Sequence, residues 1–277
     1  MIELIVSIRG KNSAIQPKTP GIFLDRGILF GSRGEYGLAI EAFTEALRLD
    51  PNLAVAYYNR GLAYDNKGDY DRAIADYDQA VRLDPNDAAA YNNRGNAYCM
   101  KGDYDTGIKD FNDAIRLDPN LAVAYTNRGN AYNDKGDYDR AIADCTQALR
   151  LDPNLAVAYY NLAAAYNNRG SAYKDKGDYD RAIADYDQAV RLDPNLAVAY
   201  TNRGSAYCMK GDYDTGIKDF NDAIRLDPND AAAYAYRELT YFMKGQKNLA
   251  IQDFEKAISI SPNNEWAKRL KEIRDIR

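Results

Sequence analysis

One tripeptide punctuates this chain. It occurs as Asp50-Pro51-Asn52, Asp84-Pro85-Asn86, Asp118-Pro119-Asn120, Asp152-Pro153-Asn154, Asp193-Pro194-Asn195 and Asp227-Pro228-Asn229, with Ser261-Pro262-Asn263 as a seventh, altered copy. Successive prolines lie 34, 34, 34, 41, 34 and 34 residues apart. A fixed period of this size dictates stacked supersecondary units that touch only their neighbours, not one globular core. It overrides the one or two domains that 277 residues would otherwise suggest. Arrays of this kind are surfaces that hold other molecules, and chemistry is rarely carried by them.

One period, Ala54 to Asp87, shows the local logic. Val55, Tyr57, Tyr58, Leu62, Ala63 and Tyr64 recur at helical intervals. Gly68 ends that helix, because glycine takes the left-handed conformation just past a helix terminus. Asp69 can accept hydrogen bonds from the exposed amides of a second helix. Tyr70, Ala73, Ile74, Tyr77, Ala80, Val81 and Leu83 form its stripe, and Pro85 stops it. The unit reads as helix, tight turn, helix, short turn. Gly61, Ala63 and Ala73 let the helices approach, and the tyrosines, 24 in the whole chain, are expected to fill the space between helices.

The run Tyr57-x-x-Arg60-Gly61-x-x-Tyr64, followed by Ala73-x-x-x-Tyr77 and Pro85, resembles the tetratricopeptide repeat. The turn glycine recurs at Gly34, Gly68, Gly102, Gly136, Gly177, Gly211 and Gly245. The resemblance spans about residues 20 to 264. It implies an all-α fold, a right-handed superhelical solenoid of helix-turn-helix repeats. First helices would line a concave groove that binds a protein or peptide partner.

Within that resemblance the groove is lined by one face of each first helix. Two residues before the first glycine of a unit stand Asn59, Asn93, Asn127, Asn168 and Asn202. One residue earlier stand Tyr58, Asn92, Thr126 and Thr201, and one turn later Asn96 and Asn130. These are the candidate ligand contacts. An asparagine side chain offers both donors and acceptors, which suits a peptide main chain. The alternative is that the asparagines bond neighbouring first helices and tie units together. Lysines at the positions of a carboxylate clamp are lacking, so chaperone tails are not expected as ligands.

The family often has leucine where this chain has Arg60, Arg94, Arg128, Arg169, Arg203 and Arg237. Arginine can bury its stem while its head is paired. The expected partners are Asp76, Asp110, Asp144, Asp185, Asp219 and Asp253 on the second helices. A basic ladder for acidic ligands is the alternative.

The period sets the organisation. Residues 1–19 lie outside it. Seven units follow at 20–53, 54–87, 88–121, 122–155, 156–196, 197–230 and 231–264. Residues 265–277 read as a capping helix, with Trp266, Ala267, Leu270 and Ile273 on one side. The fifth unit holds an extra heptad, Leu155-Ala-Val-Ala-Tyr-Tyr-Asn161 being followed by Leu162-Ala-Ala-Ala-Tyr-Asn-Asn168. Seven residues are nearly two helical turns, so the insertion predicts a longer first helix and a local step. Tyr98–Asn120 reappears unchanged as Tyr207–Asn229, a block duplication. Ile22, Phe23, Leu24, Ile28, Leu29 and Phe30 make the first helix apolar nearly all round, which points to cover by Ile2–Ile8 or to homo-oligomer formation through this end.

Composition narrows the function class. Net charge is -5 and the pI about 5.0, so no nucleic-acid partner is expected. Histidine is absent, which removes the commonest general base and metal ligand. Cys99, Cys145 and Cys208 show no zinc or disulfide spacing. Asp65-Asn66-Lys67-Gly68-Asp69 lacks the glycine position and distal glutamate of a calcium loop. The expectation is therefore no enzyme, no catalytic residue, no metal and no cofactor. Ile2–Ile8 is too short to span a bilayer, so no membrane partner and a cytoplasmic location are expected. Two further readings are a self-associating assembly module and the non-catalytic interaction segment of a larger enzyme.

Overall fold

The computed structural model describes residues 19–262. The N-terminal segment and the capping helix expected at 265–277 lie outside the described residues. All fourteen elements of the described chain are α-helices. They form two compact bodies, one ending at Pro119 and one beginning at Asn120. The first contains α1 (Pro20–Ser32), α2 (Tyr36–Leu49), α3 (Ala54–Asp65), α4 (Tyr70–Leu83), α5 (Ala88–Met100) and α6 (Tyr104–Leu117). The second contains α7 (Ala122–Asp134), α8 (Tyr138–Leu151), α9 (Ala156–Asp175), α10 (Tyr179–Leu192), α11 (Ala197–Met209), α12 (Tyr213–Leu226), α13 (Ala231–Met243) and α14 (Lys247–Ile260).

Both kinds of turn follow from the punctuation residues. The glycine between paired helices has a positive φ in every unit, from 73° at Gly245 to 89° at Gly211; a side chain would be strained there. The next aspartate caps the second helix: Asp69 accepts from the Arg72 amide at 3.3 Å and Asp103 from the Thr106 amide at 3.1 Å. In the Asp-Pro-Asn turn the aspartate accepts from the asparagine amide two residues on, at 3.1 Å for Asp84 and Asn86. That bond closes the turn while proline ends the helix before it.

Buried alanines, among them Ala56, Ala73, Ala80 and Ala90, let helices pack closely. Most pairs of helices are keyed by a glycine facing a large residue. Gly61 lies against the Tyr77 ring, Gly95 against Phe111, Gly170 against Tyr186 and Gly204 against Phe220. A Cβ at Gly95 would sit 2.9 Å from the Gly107 carbonyl oxygen. Cys145 fills this slot opposite Gly129 and is fully buried; burial pushes its thiol up to about 12. Cys99 and Cys208 occupy space left by Gly107 and Gly216 on the facing helix.

The inserted heptad is helical. α9 runs unbroken for 20 residues where other first helices have 12 or 13, and it changes the register between units. Arg94 and Arg203 each send Nη1 to the carboxylate sixteen residues earlier, Asp78 and Asp187, at 2.7 Å. Arg169 instead bonds Asp139, thirty residues earlier, at 2.6 Å. In regular units that acidic position on the second helix is paired with the turn lysine: Lys101 with Asp71, Lys210 with Asp180, Lys244 with Asp214. The later part of α9 has slid by seven residues, about 10 Å, along α8.

Candidate functional site

In each of the two bodies the regular first helices present an open face, a stripe at spacings of four, three and four residues. On α3 and its C-cap it is Val55, Asn59, Leu62 and Asn66; on α5 Ala89, Asn93, Asn96 and Met100; on α7 Val123, Asn127, Asn130 and Asp134; on α11 Val198, Asn202 and Met209, Ser205 at the intervening place being buried. The valines and methionines of this stripe are exposed, Met209 to 63%. It is apolar at its edges and amide-rich in its middle. Its carboxylates are few, and burial raises the pKa of Asp134.

The eleven candidate residues divide into two groups. Asn92, Thr126 and Thr201 are 5%, 0% and 3% exposed. They are packed inside and open to no ligand in this arrangement; Thr201 donates to Asp230 at the start of α13 at 2.8 Å. A position one residue from the open stripe rotates by 100° on a helix, which is enough to turn it from the surface into the seam. Tyr58 is half-buried in the same seam. Asn59, Asn93, Asn96, Asn127, Asn168 and Asn202 are half-buried and Asn130 is exposed.

Several asparagines bond neighbouring first helices. Asn93 Nδ2 donates to Tyr58 Oη at 3.0 Å, Asn202 Nδ2 to Asn167 Oδ1 at 3.1 Å and Asn168 Nδ2 to Asn133 Oδ1 at 3.0 Å. Within α5, Asn92 donates to Asn93 Oδ1 at 3.1 Å. Asn59 donates to the Val55 carbonyl of its own helix, and Asn130 meets Asp134 at 3.4 Å. The tie between units is thus part of the structure. Each amide has two donors and two acceptor lone pairs, so one bond of each kind leaves Asn93 with capacity for a ligand.

The arginines are engaged inside the array. All six bind the expected aspartate through both Nε and Nη2, Arg60 with Asp76 and Arg94 with Asp110 at 2.7 Å for both bonds. Arg128, Arg169, Arg203 and Arg237 hold Asp144, Asp185, Asp219 and Asp253 in the same way. Each guanidinium also lies over a tyrosine three residues earlier, 5.6 Å from Tyr57 for Arg60 and 5.3 Å from Tyr91 for Arg94. A basic ladder for acidic ligands is therefore not what these residues form. Burial at Asp110 and Asp219 raises the carboxyl pKa against the pull of the paired guanidinium.

Sequence reasoning did not find the lysine–aspartate pairs between units, although their offset of thirty residues is constant. It also missed two exposed aromatics on α9, Tyr159 and Tyr160. The signal for those was the repeated heptad itself. Among the described residues no group of three or more histidine, cysteine or acidic side chains is placed to hold a metal. No described helix is long and apolar enough to cross a membrane.

Comparison with protein families matches tetratricopeptide repeat models to residues 24–88, 58–122, 122–155, 145–184, 197–230 and 239–264, and a TPR repeat model to 170–211. The chain belongs to the tetratricopeptide repeat (TPR) family. A comparison with curated proteins gives no match. Similar solved structures include the C-terminal part of a TPR repeat-containing protein from Cytophaga hutchinsonii, at 20% identity and a TM-score of 0.70, covering 89% of this chain and 98% of that one. YrrB, described as a TPR protein with an unusual peptide-binding site, is 25% identical with a TM-score of 0.52, over 71% of this chain and 97% of its own. MamA is 29% identical with a TM-score of 0.52, over 64% and 93%. With helices as the sole regular element among the described residues, this TPR chain is an all-α repeat solenoid.

Proposed function

We propose that this TPR array is a protein-interaction scaffold, without catalysis of its own, that holds an extended peptide or protein segment along the open stripe of its first helices. TPR arrays turn that face inward as their groove. One observation carries the reading: the stripe repeats amide side chains with spare hydrogen-bonding capacity between exposed valines and methionines, while the arginines are engaged in pairs within the array. A neutral amide row matches the alternating donors and acceptors of peptide backbone, and the apolar edges accommodate side chains. The likeness to YrrB supports it.

The test begins with a displayed library of extended peptides selected on the whole chain. Selected peptides are then titrated against variants Asn96→Arg and Asn130→Arg. These side chains lie on the stripe and take no part in the ties between first helices described above, so a long cation there blocks the surface and leaves the fold in place. Binding at least about tenfold weaker is expected. Superimposable titrations of parent and variants would move the site elsewhere.

A second reading rests on Ile28, Leu29 and Leu38, large apolar residues that stand 45%, 47% and 44% exposed on α1 and α2. They favour self-association through the N-terminal unit. Light scattering at rising concentration tests it, and a strict monomer rejects it.

A further inference from the structure

Leu53–Asn59 and Leu155–Asn161 are the same seven residues, Leu-Ala-Val-Ala-Tyr-Tyr-Asn, in two environments. At the start of α3, Tyr57 and Tyr58 pack on the cluster of Ala80 and Val81 at the end of α4 and Ala90 of α5. Tyr58 Oη there accepts from Asn93. At the start of α9, Tyr159 is 39% exposed and Tyr160 is 61% exposed, beside an exposed Val157.

The register slide explains the difference. α10 and α11 pack on α9 beyond the inserted heptad. Gly170 takes the Tyr186 ring, Arg169 grips Asp185 and lies 5.4 Å from the Tyr166 centroid, and Asn202 of α11 bonds Asn167. Ala189 and Ala199, the counterparts of Ala80 and Ala90, are fully buried. They meet α9 about 10 Å further along, which is seven residues of helical rise. Tyr159 and Tyr160 are therefore the uncovered continuation, by one heptad, of the interface that α9 makes with α10 and α11. By position in the heptapeptide Tyr159 and Tyr160 match the seam residues Tyr57 and Tyr58, whereas Val157 and Asn161 match Val55 and Asn59 of the amide stripe.

We propose that this ledge docks one amphipathic α-helix of a partner protein. The occupant is defined by what covers the identical heptapeptide at 53–59: a helix end with adjacent small apolar residues, as in Gln79-Ala80-Val81, and a neutral amide donor placed to reach a tyrosine hydroxyl, as Asn93 does. Small side chains let the helix approach two ring faces closely, and the amide satisfies the hydroxyl once water is excluded. The ledge is continuous with an interface of the same chemistry, so the partner helix extends packing that already exists.

The experiment uses the whole chain and a fluorescein-labelled synthetic peptide with the sequence of residues 69–93, which spans α4 and the first half of α5. Such a peptide orders only on binding, so a Kd of about 10 to 100 µM is expected. Tyr159→Ser with Tyr160→Ser should weaken it by about tenfold or more. Deleting residues 156–162, which restores the 34-residue period and removes the ledge, should abolish it with helical circular dichroism retained. Asn96→Arg should leave it unchanged, which separates this site from the stripe. Lack of saturation at about 1 mM, or equal binding by the tyrosine variant, overturns the proposal. So does a dimer in sedimentation that depends on Tyr160, because the occupant would then be a second copy.

Discussion

Tyr77 and Tyr186 lie in identical second helices, Tyr70–Leu83 and Tyr179–Leu192, and differ by one bond. Tyr186 Oη shares a hydrogen bond with Ser171 Oγ at 3.1 Å. The Tyr77 hydroxyl is buried without a partner among the described residues, because Leu62 stands where the other unit has Ser171. Burial pushes both phenols up, that of Tyr186 to about 12. Tyr77→Phe is expected to be neutral or stabilising, and Tyr186→Phe to cost about 1 kcal/mol. The chain already uses phenylalanine in this slot at Phe43, Phe111 and Phe220. Thermal melts of the two variants decide the matter, and equal losses would refute the account. The Arg94–Asp110 pair offers a second comparison. Asp110→Leu alone takes both bonds of the bidentate pair from Arg94, whose side chain is 17% exposed, and leaves Asp78 as its remaining carboxylate, at a cost of up to about 3 kcal/mol. Adding Arg94→Leu should recover most of that, since leucine is common at the arginine position in this family. A double variant less stable than Asp110→Leu would mean the pair contributes more than its desolvation cost. The salt bridges were legible in the sequence, because an arginine and an aspartate sixteen residues apart recur in phase. The orphaned hydroxyl was not, because it depends on which side chain stands across the helix pair.

At the scale of the element, the five second helices α4, α6, α8, α10 and α12 begin with an aspartate cap and should respond alike to acid, whereas α2 and α14 begin at Glu35 and Gln246 without a side-chain cap bond. Hydrogen bonds from Arg72, Arg140 and Arg181 hold Asp69, Asp137 and Asp178 below the ordinary carboxyl value of 3.8, and bonds from Thr106 and Thr215 do so for Asp103 and Asp212. The folded state therefore favours the ionised caps. Their contribution is complete above the ordinary value and is lost as pH falls through the depressed folded values. Melting temperatures should show no cap-related change between about pH 7 and 5 and a fall below about 4. Asp103→Asn with Asp212→Asn keeps two caps while removing their titration, so the acid fall should shrink. An unchanged fall in that variant would assign acid lability to other groups. The caps, turns and helix pairs were all readable from local residue types. α9 was readable only in part. A near-duplicated heptad predicts more helix, since seven residues return to nearly the same face. It does not say which copy keeps the old neighbours, because Leu155–Asn161 and Leu162–Asn168 fit the period equally. Packing against α10 decides it, in favour of the later copy.

At the scale of the molecule, each described helix packs on helices one or two places away in the chain, as α3 does with α4 and α5. Among the described residues the main helix–helix contacts within each body join elements at most two places apart. Damage should therefore stay local, as expected where stability is a sum over units and their nearest interfaces. Gly95 is a sharp probe. A Cβ there meets the Gly107 carbonyl oxygen and the Phe111 ring, both at 2.9 Å, so Gly95→Ala must push α5 from α6. Hydrogen exchange followed by mass spectrometry should show faster exchange through α5 and α6 and a weaker effect in α3 and α4. Amides of α11 to α14 should keep their parent rates. A single cooperative core would spread the loss evenly over all fourteen helices, because every opening would then be the global one. Uniform acceleration would thus count against nearest-neighbour stability. A graded response would support it, and it would bear on function too: a scaffold whose units loosen independently can adapt one part of its binding face without releasing the rest.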